Sequence, residues 1–315
     1  MKIRKKYIMF AKKLGMMCIV LLGISMLSFL LLTATNKDTA EIVVRRTSLN
    51  ATTEQIEMKR IELGLDKPLH LRYLFWLGSF LTGDFGISLT TFNPILTDLR
   101  EHLPVTGILV LLSLVWIIVI TIPVSLFCAF KKNSFFDHVI RIFGIIGICM
   151  PAFVLGIFLL LLFAVHLHLF PVAPKGSFTD YIMPSFALAF PTSCAMIRVL
   201  RASLLTEMSK DYCTFAKARG LSDFRILCRH ALKNALPPFI TLFFQYIGYQ
   251  LAGSAVVEKL FSLQGIGDYL LSGIFIADTV PTAYCVMIVA AVFVVSNILG
   301  DVINRILCPW TERVC

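Results

Sequence analysis

Residues 211–238 read DYCTFAKARGLSDFRILCRHALKNALPP, a charged, helix-patterned stretch set between segments with the composition of membrane. Tyr212, Phe215, Ala216 and Arg219 recur at three- and four-residue spacing, the signature of one helix face. Gly220 then supplies a stop, because a left-handed residue closes a helix most easily when it has no Cβ. A second helix is expected at once: Ser222 suits the N-cap and Asp223 the first turn. Arg225, Arg229 and Lys233 form a basic i,i+4 stripe opposite Phe224, Leu227 and Ala231. Pro237 and Pro238 either close this element or open the apolar run that follows. Two short helices joined at a glycine make a compact knob, suited to a groove on another protein. The same charge pattern also fits a solvated loop lying on lipid headgroups.

Outward from this stretch the chain becomes apolar. Of its 315 residues 57% are hydrophobic and only 15% charged, and mean hydropathy is +0.82, which excludes an ordinary soluble domain. Six uncharged runs, at 14–34, 105–130, 142–165, 181–197, 236–257 and 280–300, are long enough to cross about 30 Å of hydrocarbon as helices. The expectation is an all-α integral membrane protein, one transmembrane domain over 1–315, with an external excursion at 36–102 and an internal loop at 198–235. The fourth run is the shortest and carries Pro184 and Pro191, so it is where a kink is expected. The first follows a basic N-terminus, yet its apolar run exceeds that of a secretory signal, which favours a retained helix.

Lysines and arginines orient the chain. With the N-terminus inside, 19 of the 29 basic residues and 6 of the 19 acidic ones fall on the cytoplasmic side, which places both termini and the 198–235 loop in the cytoplasm. The net charge of +10 is therefore a topology signal; it is dispersed among membrane ends, and no nucleic-acid motif accompanies it. Nine cysteines, an odd number with no CxxC pair, read as small apolar fillers rather than a disulfide framework or zinc site.

Within the excursion, Thr53 to Leu63 suggests a short amphipathic helix ending near Gly64. Leu71 to Leu81, with Trp76, suggests an apolar face resting at the membrane surface, and Gly83 to Ser88, GDFGIS, is a turn. His166 and His168 are two apart, do not share a helix face and have no acidic or cysteine neighbour, so interfacial polar residues are expected and no metal site. The fifth run places Gln245, Tyr246, Tyr249 and Gln250 at mid-membrane, with Gly248, Ala252 and Gly253 permitting close packing. Amides and phenols in hydrocarbon need partners. Gln245, Tyr249 and Gln250 are accordingly candidate residues of a translocation pathway, with interhelical hydrogen bonding the equally weighted alternative.

No Walker A loop, nucleophile elbow, HExxH or paired-carboxylate site is present, so no catalytic residue is assigned. All six runs lack Asp, Glu, Lys and Arg, the ionisable groups that gradient-driven carriers usually place in the bilayer. Energy then arrives from elsewhere or is not used. A passive channel or gradient-driven carrier is the competing class. A membrane-embedded enzyme would need a catalytic constellation.

The 211–238 stretch resembles the cytoplasmic coupling loop of permease subunits of ABC importers, in the dipeptide, oligopeptide and nickel branch. The residues that carry the likeness are Asp211, Tyr212, Ala216, Lys217, Ala218, Arg219, Gly220 and Leu221, then Arg229, His230, Ala231, Leu232, Asn234, Ala235, Leu236 and Pro238. The wider family's Glu-Ala-Ala is here Thr214, Phe215 and Ala216. Gly64 to Pro68, the Tyr73 to Leu77 segment, Gly83-Asp84 with Gly86 and Ser88, Val256-Val257-Glu258 and Phe261 to Gly267 also have counterparts, with Gln264 where proline is usual. The family's turn after the first span is replaced by Thr35-Asn36-Lys37-Asp38.

The resemblance implies a six-helix type I importer permease with no catalytic site or cofactor of its own, in a bacterial inner membrane. It implies a second, homologous permease as heterodimer partner, two ATP-binding cassette subunits that use ATP and magnesium, and an extracellular solute-binding protein. Asp211, Tyr212, Phe215, Ala216, Lys217, Ala218, Arg219, Gly220 and Leu221 would then couple to an ATPase subunit, with Phe215 and Leu221 filling its groove. Peptides, nickel and other metal chelates, and metallophore complexes are all cargoes of similar permeases.

Overall fold

The computed structural model describes residues 2–34, 40–41, 44–45, 52–62, 64–88, 91–276 and 278–307. The segment Thr35 to Asp38 that replaces the family's turn, Leu63, Cys308 and Cys315 lie outside them. In chain order the helices are α1 (Lys2–Ala34), α2 (Thr53–Glu62), α3 (Leu69–Thr82), α4 (Ile95–Phe130), α5 (Phe135–Cys149) and α6 (Ala152–Leu159). There follow α7 (Ile182–Met208), α8 (Asp211–Ala218), α9 (Asp223–Ile226), α10 (Leu232–Leu260), α11 (Ile266–Ile276) and α12 (Thr279–Leu307). Where the sequence suggests one domain, the residues gather into two compact units, 1–102 with 269–291 and 103–268 with 292–315.

By length and composition, four helical stretches among the described residues can cross a membrane: Ile95–Phe130, Phe178–Met208, Asp223–Leu260 and Val280–Leu307. They carry the expected second, fourth, fifth and sixth spans. The expected first span lies on α1, whose described apolar stretch is Gly15–Leu30. The third, 142–165, is not one straight helix. It is broken between Cys149 and Ala152 and bent by 103°. A kink is expected at Pro184 and Pro191 of the fourth run, yet the break above 40° among the described residues is in the third. Pro184 sits in the first turn of α7, where its missing N–H has no intrahelical role, and α7 is assigned as helix straight through Pro191. The sharp bend is at Pro151, the N-cap residue of α6.

In the first unit, α3 presents Tyr73, Trp76 and Phe80 on one face. Trp76 is buried against Phe29, with rings 5.9 Å apart, and stacks on Tyr284 at 5.5 Å. The surface-resting role expected of Trp76 is thus corrected: it faces the core of its unit, while Leu74, Phe75 and Leu81 are the exposed apolar residues. The GDFGIS turn is present. Gly83 and Gly86 take φ of 78° and 74°, and Ser88 donates to the buried Asp278 carboxylate at 2.9 Å.

The second unit is built around α7, which packs on α5, α6 and α10 and shares a buried cluster with α4 and α10 made of Met196, Leu200, Leu204, Ile117, Ala235 and Ile240. Outward-facing Leu111, Val115, Val119, Phe143 and Phe158 are large, apolar and exposed, the inverse of a soluble surface. Gly248 and Gly300 admit Phe293 and Phe244 so closely that a Cβ at either glycine would overlap a ring, and α10 and α12 meet there.

Candidate functional site

Helix α8 starts after Lys210, whose φ of −81° and ψ of 152° are extended, and Asp211 occupies its first turn, where a carboxylate favours the helix dipole. Its end is a Schellman closure: Gly220 N–H donates to Lys217 O at 2.9 Å and Leu221 N–H to Ala216 O at 3.3 Å, with Gly220 at φ 84°. The next helix begins at Asp223 as expected, with Ser222 extended before it, though no Ser222 side-chain cap bond forms. Lys217 Nζ lies 2.9 Å from Asp223 Oδ1 and spans the joint.

The two faces of α8 differ. Tyr212, Cys213, Ala216 and Leu221 pack on the core beside Leu204, Leu205 and Met208. Tyr212 donates its hydroxyl to Glu207 Oε2 at 2.8 Å, and Lys210 Nζ donates to Glu207 Oε1 at 2.7 Å. Burial, and after it this carboxylate, raise the Tyr212 phenol above its ordinary range, against the hydrogen bond from Asn234. The helix is therefore strapped to the end of α7. Asp211, Thr214, Phe215, Lys217, Ala218 and Arg219 face outward, and Phe215 is 69% exposed. Leu221, expected to fill a partner's groove, is half-buried against this chain's own cluster. Phe215 is the apolar group left projecting from α8.

Beyond the knob, Leu227–Ala231 is a π-helical turn, and the chain continues as α10 through both Pro237 and Pro238. The prolines neither close nor open the element. The extra residue of the π turn keeps Leu227 and Ala231 buried while Arg225, Arg229 and Lys233 remain outside.

The candidate pathway residues separate. Gln245 and Tyr249 lie one turn apart on the exposed side of α10, Tyr249 being 67% exposed. Gln250 is 1% exposed. Its Nε2 donates to Ser113 Oγ at 3.2 Å and to Leu188 O at 3.3 Å, and its Oε1 accepts from Thr192 at 3.5 Å. It binds α4, α7 and α10 together inside the chain and does not present its amide at the surface. Of the two readings, interhelical hydrogen bonding describes Gln250 within this chain.

Two polar clusters were not foreseen. Glu258, fully buried at the end of α10, accepts from Thr106 at 2.7 Å, Ser254 at 2.9 Å and the Asp268 N–H at 2.9 Å. Asp137, also fully buried, receives both arms of Arg201. A signal existed for each: glycines at 265 and 267 after Val-Val-Glu, and a Ser-x-x-Asp helix start at Ser134. His166 Nδ1 lies 2.7 Å from Leu161 O, within the π-helical segment Leu160–His166 that follows α6.

A family described as "Binding-protein-dependent transport system inner membrane component" matches residues 121–313, and its N-terminal companion matches residues 6–110. The dipeptide transport system permease protein of Lactococcus lactis subsp. cremoris (strain MG1363) is 32% identical over 82% of this chain and 86% of its own length. The glutathione transport system permease proteins of Shigella flexneri serotype 5b (strain 8401) and Escherichia coli (strain K12) are 30% and 29% identical, each over 91% of this chain and 92% of their own.

Proposed function

The chain belongs to the binding-protein-dependent transport system inner membrane component family, the permeases of ABC importers, in its dipeptide and oligopeptide branch, and from that premise we propose that it imports small peptides using force delivered through α8. The exposed Phe215 is the peg: the outward-facing aromatic of α8, held by a rigid mount, that enters a groove on an ATP-binding cassette subunit. The strap from Tyr212 and Lys210 to Glu207 converts movement of the peg into movement of α7. Asp211, Ala218 and Arg219 rim the contact, and Ala216, Leu221 and the Gly220 turn keep α8 in its pose.

In this reading two ATPase subunits consume ATP with magnesium, so the permease chain needs no cofactor or catalytic group. A second, homologous permease completes the pathway, and a solute-binding protein delivers cargo on the opposite side of the inner membrane. Both termini and α8 face the cytoplasm, as the basic residues indicate. Gln245 and Tyr249, exposed on α10, supply amide and phenol groups of the kind that hydrogen-bond peptide backbones. Relatives named for dipeptide and glutathione support a peptide cargo, glutathione being itself a small peptide.

The observation that carries the proposal is the mounted, outward-facing Phe215. A photoactivatable residue at position 215 should crosslink to an ATP-hydrolysing subunit in the assembled complex. Capture of lipid alone would overturn the coupling role. Cargo is tested in a deletion strain by uptake of labelled dipeptide, glutathione and chelated nickel; loss of nickel uptake alone would overturn the peptide assignment.

A further inference from the structure

Helix α5 is fastened to α7 at two places. Near its start, Asp137 accepts two parallel bonds from Arg201, from Nε to Oδ1 at 2.7 Å and from Nη2 to Oδ2 at 2.6 Å. The Asn133 backbone N–H adds a third at 3.0 Å, and Arg141 Nε stands 3.9 Å away. Near its end, Gly147 lies so close to Cys194 that a Cβ there would overlap the sulfur. Past Cys149 the chain turns by 103° at a proline, so α5 is not held in place by a continuing helix. Its pose depends on these side contacts.

Arg201 is less than two turns from Glu207, the residue that mounts α8. A forked arginine–carboxylate pair resists rotation as well as separation, because its two parallel bonds fix the relative planes of both groups. Asp137 is fully buried and the Arg201 side chain only 14% exposed, so loss of either partner would strand the other's charge. We propose that Asp137 and Arg201 are positioning residues of the transport cycle: their fork makes α5 travel as one body with α8 when the ATPase subunits move the latter. This rests on the coupling role proposed for α8.

The test uses the assembled transporter with its ATPase subunits and spin labels on cysteines introduced at the exposed Phe143 and Thr214, the native cysteines having been replaced. Distances are read without nucleotide and with ATP plus vanadate. In the parent, the 143–214 distance should be narrow and unchanged within about 2 Å between the states, the scale of ordinary helix shifts. With Arg201→Ala or the milder Arg201→Lys it should stay narrow without nucleotide and broaden or shift with it. Exchanging the partners, Asp137→Arg with Arg201→Asp, should restore the parent's behaviour.

A parent distance that itself shifts with nucleotide overturns the proposal. So does a variant that matches the parent in both states, or one broadened equally in both, which marks a merely structural pair. A parent that purifies with no ATP-hydrolysing partner overturns the coupling role and this inference with it, a failure distinct from the other three.

Discussion

The Thr106 hydroxyl donates to Glu258 Oε1 at 2.7 Å and accepts the Ile266 N–H at 2.8 Å, so one threonine joins α4, the end of α10 and the first residue of α11. Glu258 completes the joint by accepting the Asp268 N–H at the N-terminus of α11, where a carboxylate also meets the positive end of the helix dipole. Gly265 is required here, since its Cβ would stand 2.5 Å from the Glu258 carboxylate.

Glu258→Ala leaves the Thr106 hydroxyl and the Asp268 N–H without their acceptor, while the Ser254 hydroxyl keeps the Leu251 carbonyl, at a cost of about 1–3 kcal/mol for each buried group that finds no water. Gly265→Ala overpacks the same joint and should cost about 1–3 kcal/mol. Both variants should lower the melting temperature of the detergent-purified protein. Thr106→Val should do so less than Glu258→Ala, because fewer partners are stranded. Equal melting of Glu258→Ala and the parent would show that the joint contributes nothing.

At Gly220 the obstacle to substitution is conformational, because a Cβ would meet nothing within 4 Å while φ is 84°. An L-residue there is disfavoured by about 1–2 kcal/mol. Gly220→Asp should therefore tilt α8 away from its pose, uncoupling ATP hydrolysis from uptake while the protein still inserts and assembles. Parallel assays of hydrolysis and uptake in proteoliposomes check this, and unimpaired uptake at parental hydrolysis would contradict it.

Phe215 and Leu221, paired by the sequence as groove-filling residues, should behave differently. Phe215→Ala removes an exposed group, so thermal stability should stay within about 0.5 kcal/mol of the parent, as for surface substitutions in general, while ATPase binding weakens. Leu221→Ala removes half-buried core contacts, so melting should fall while affinity for the ATPase changes little. Pull-down of the ATPase subunit beside a melting curve separates the two, and the reverse pattern would show that α8 is inverted.

The sequence makes the apolar runs and the Gly220 stop legible because each depends on local chemistry: uninterrupted hydrocarbon in one case, a missing Cβ in the other. The bend at Pro151 is not legible in the same way. It lies in a run as apolar as its neighbours, and helices tolerate proline at Pro184, Pro191, Pro237 and Pro238, so residue identity alone does not mark where the axis turns. Asp137 and Glu258 were hidden for another reason. Their partners Arg201 and Thr106 are 64 and 152 residues away, and a charge beside an apolar run reads as a membrane end until the fold buries it. Face was the remaining ambiguity: at Leu221 and Gln250 periodicity gave the helix but not which side its own neighbours cover.

Gln250 offers the sharpest separation of structural from transport roles. Gln250→Leu removes bonds to Ser113, Leu188 and Thr192 but keeps volume and suits hydrocarbon. Interhelical bonds in membranes contribute about 0.6 kcal/mol each on average, so stability should fall by no more than about 2 kcal/mol. Gln245→Leu and Tyr249→Phe, on the exposed side, should leave melting unchanged and raise the substrate concentration needed for half-maximal uptake, provided α10 lines the route taken by cargo. A Gln250→Leu variant with normal stability and altered cargo preference would reverse this assignment and place the amide in the pathway.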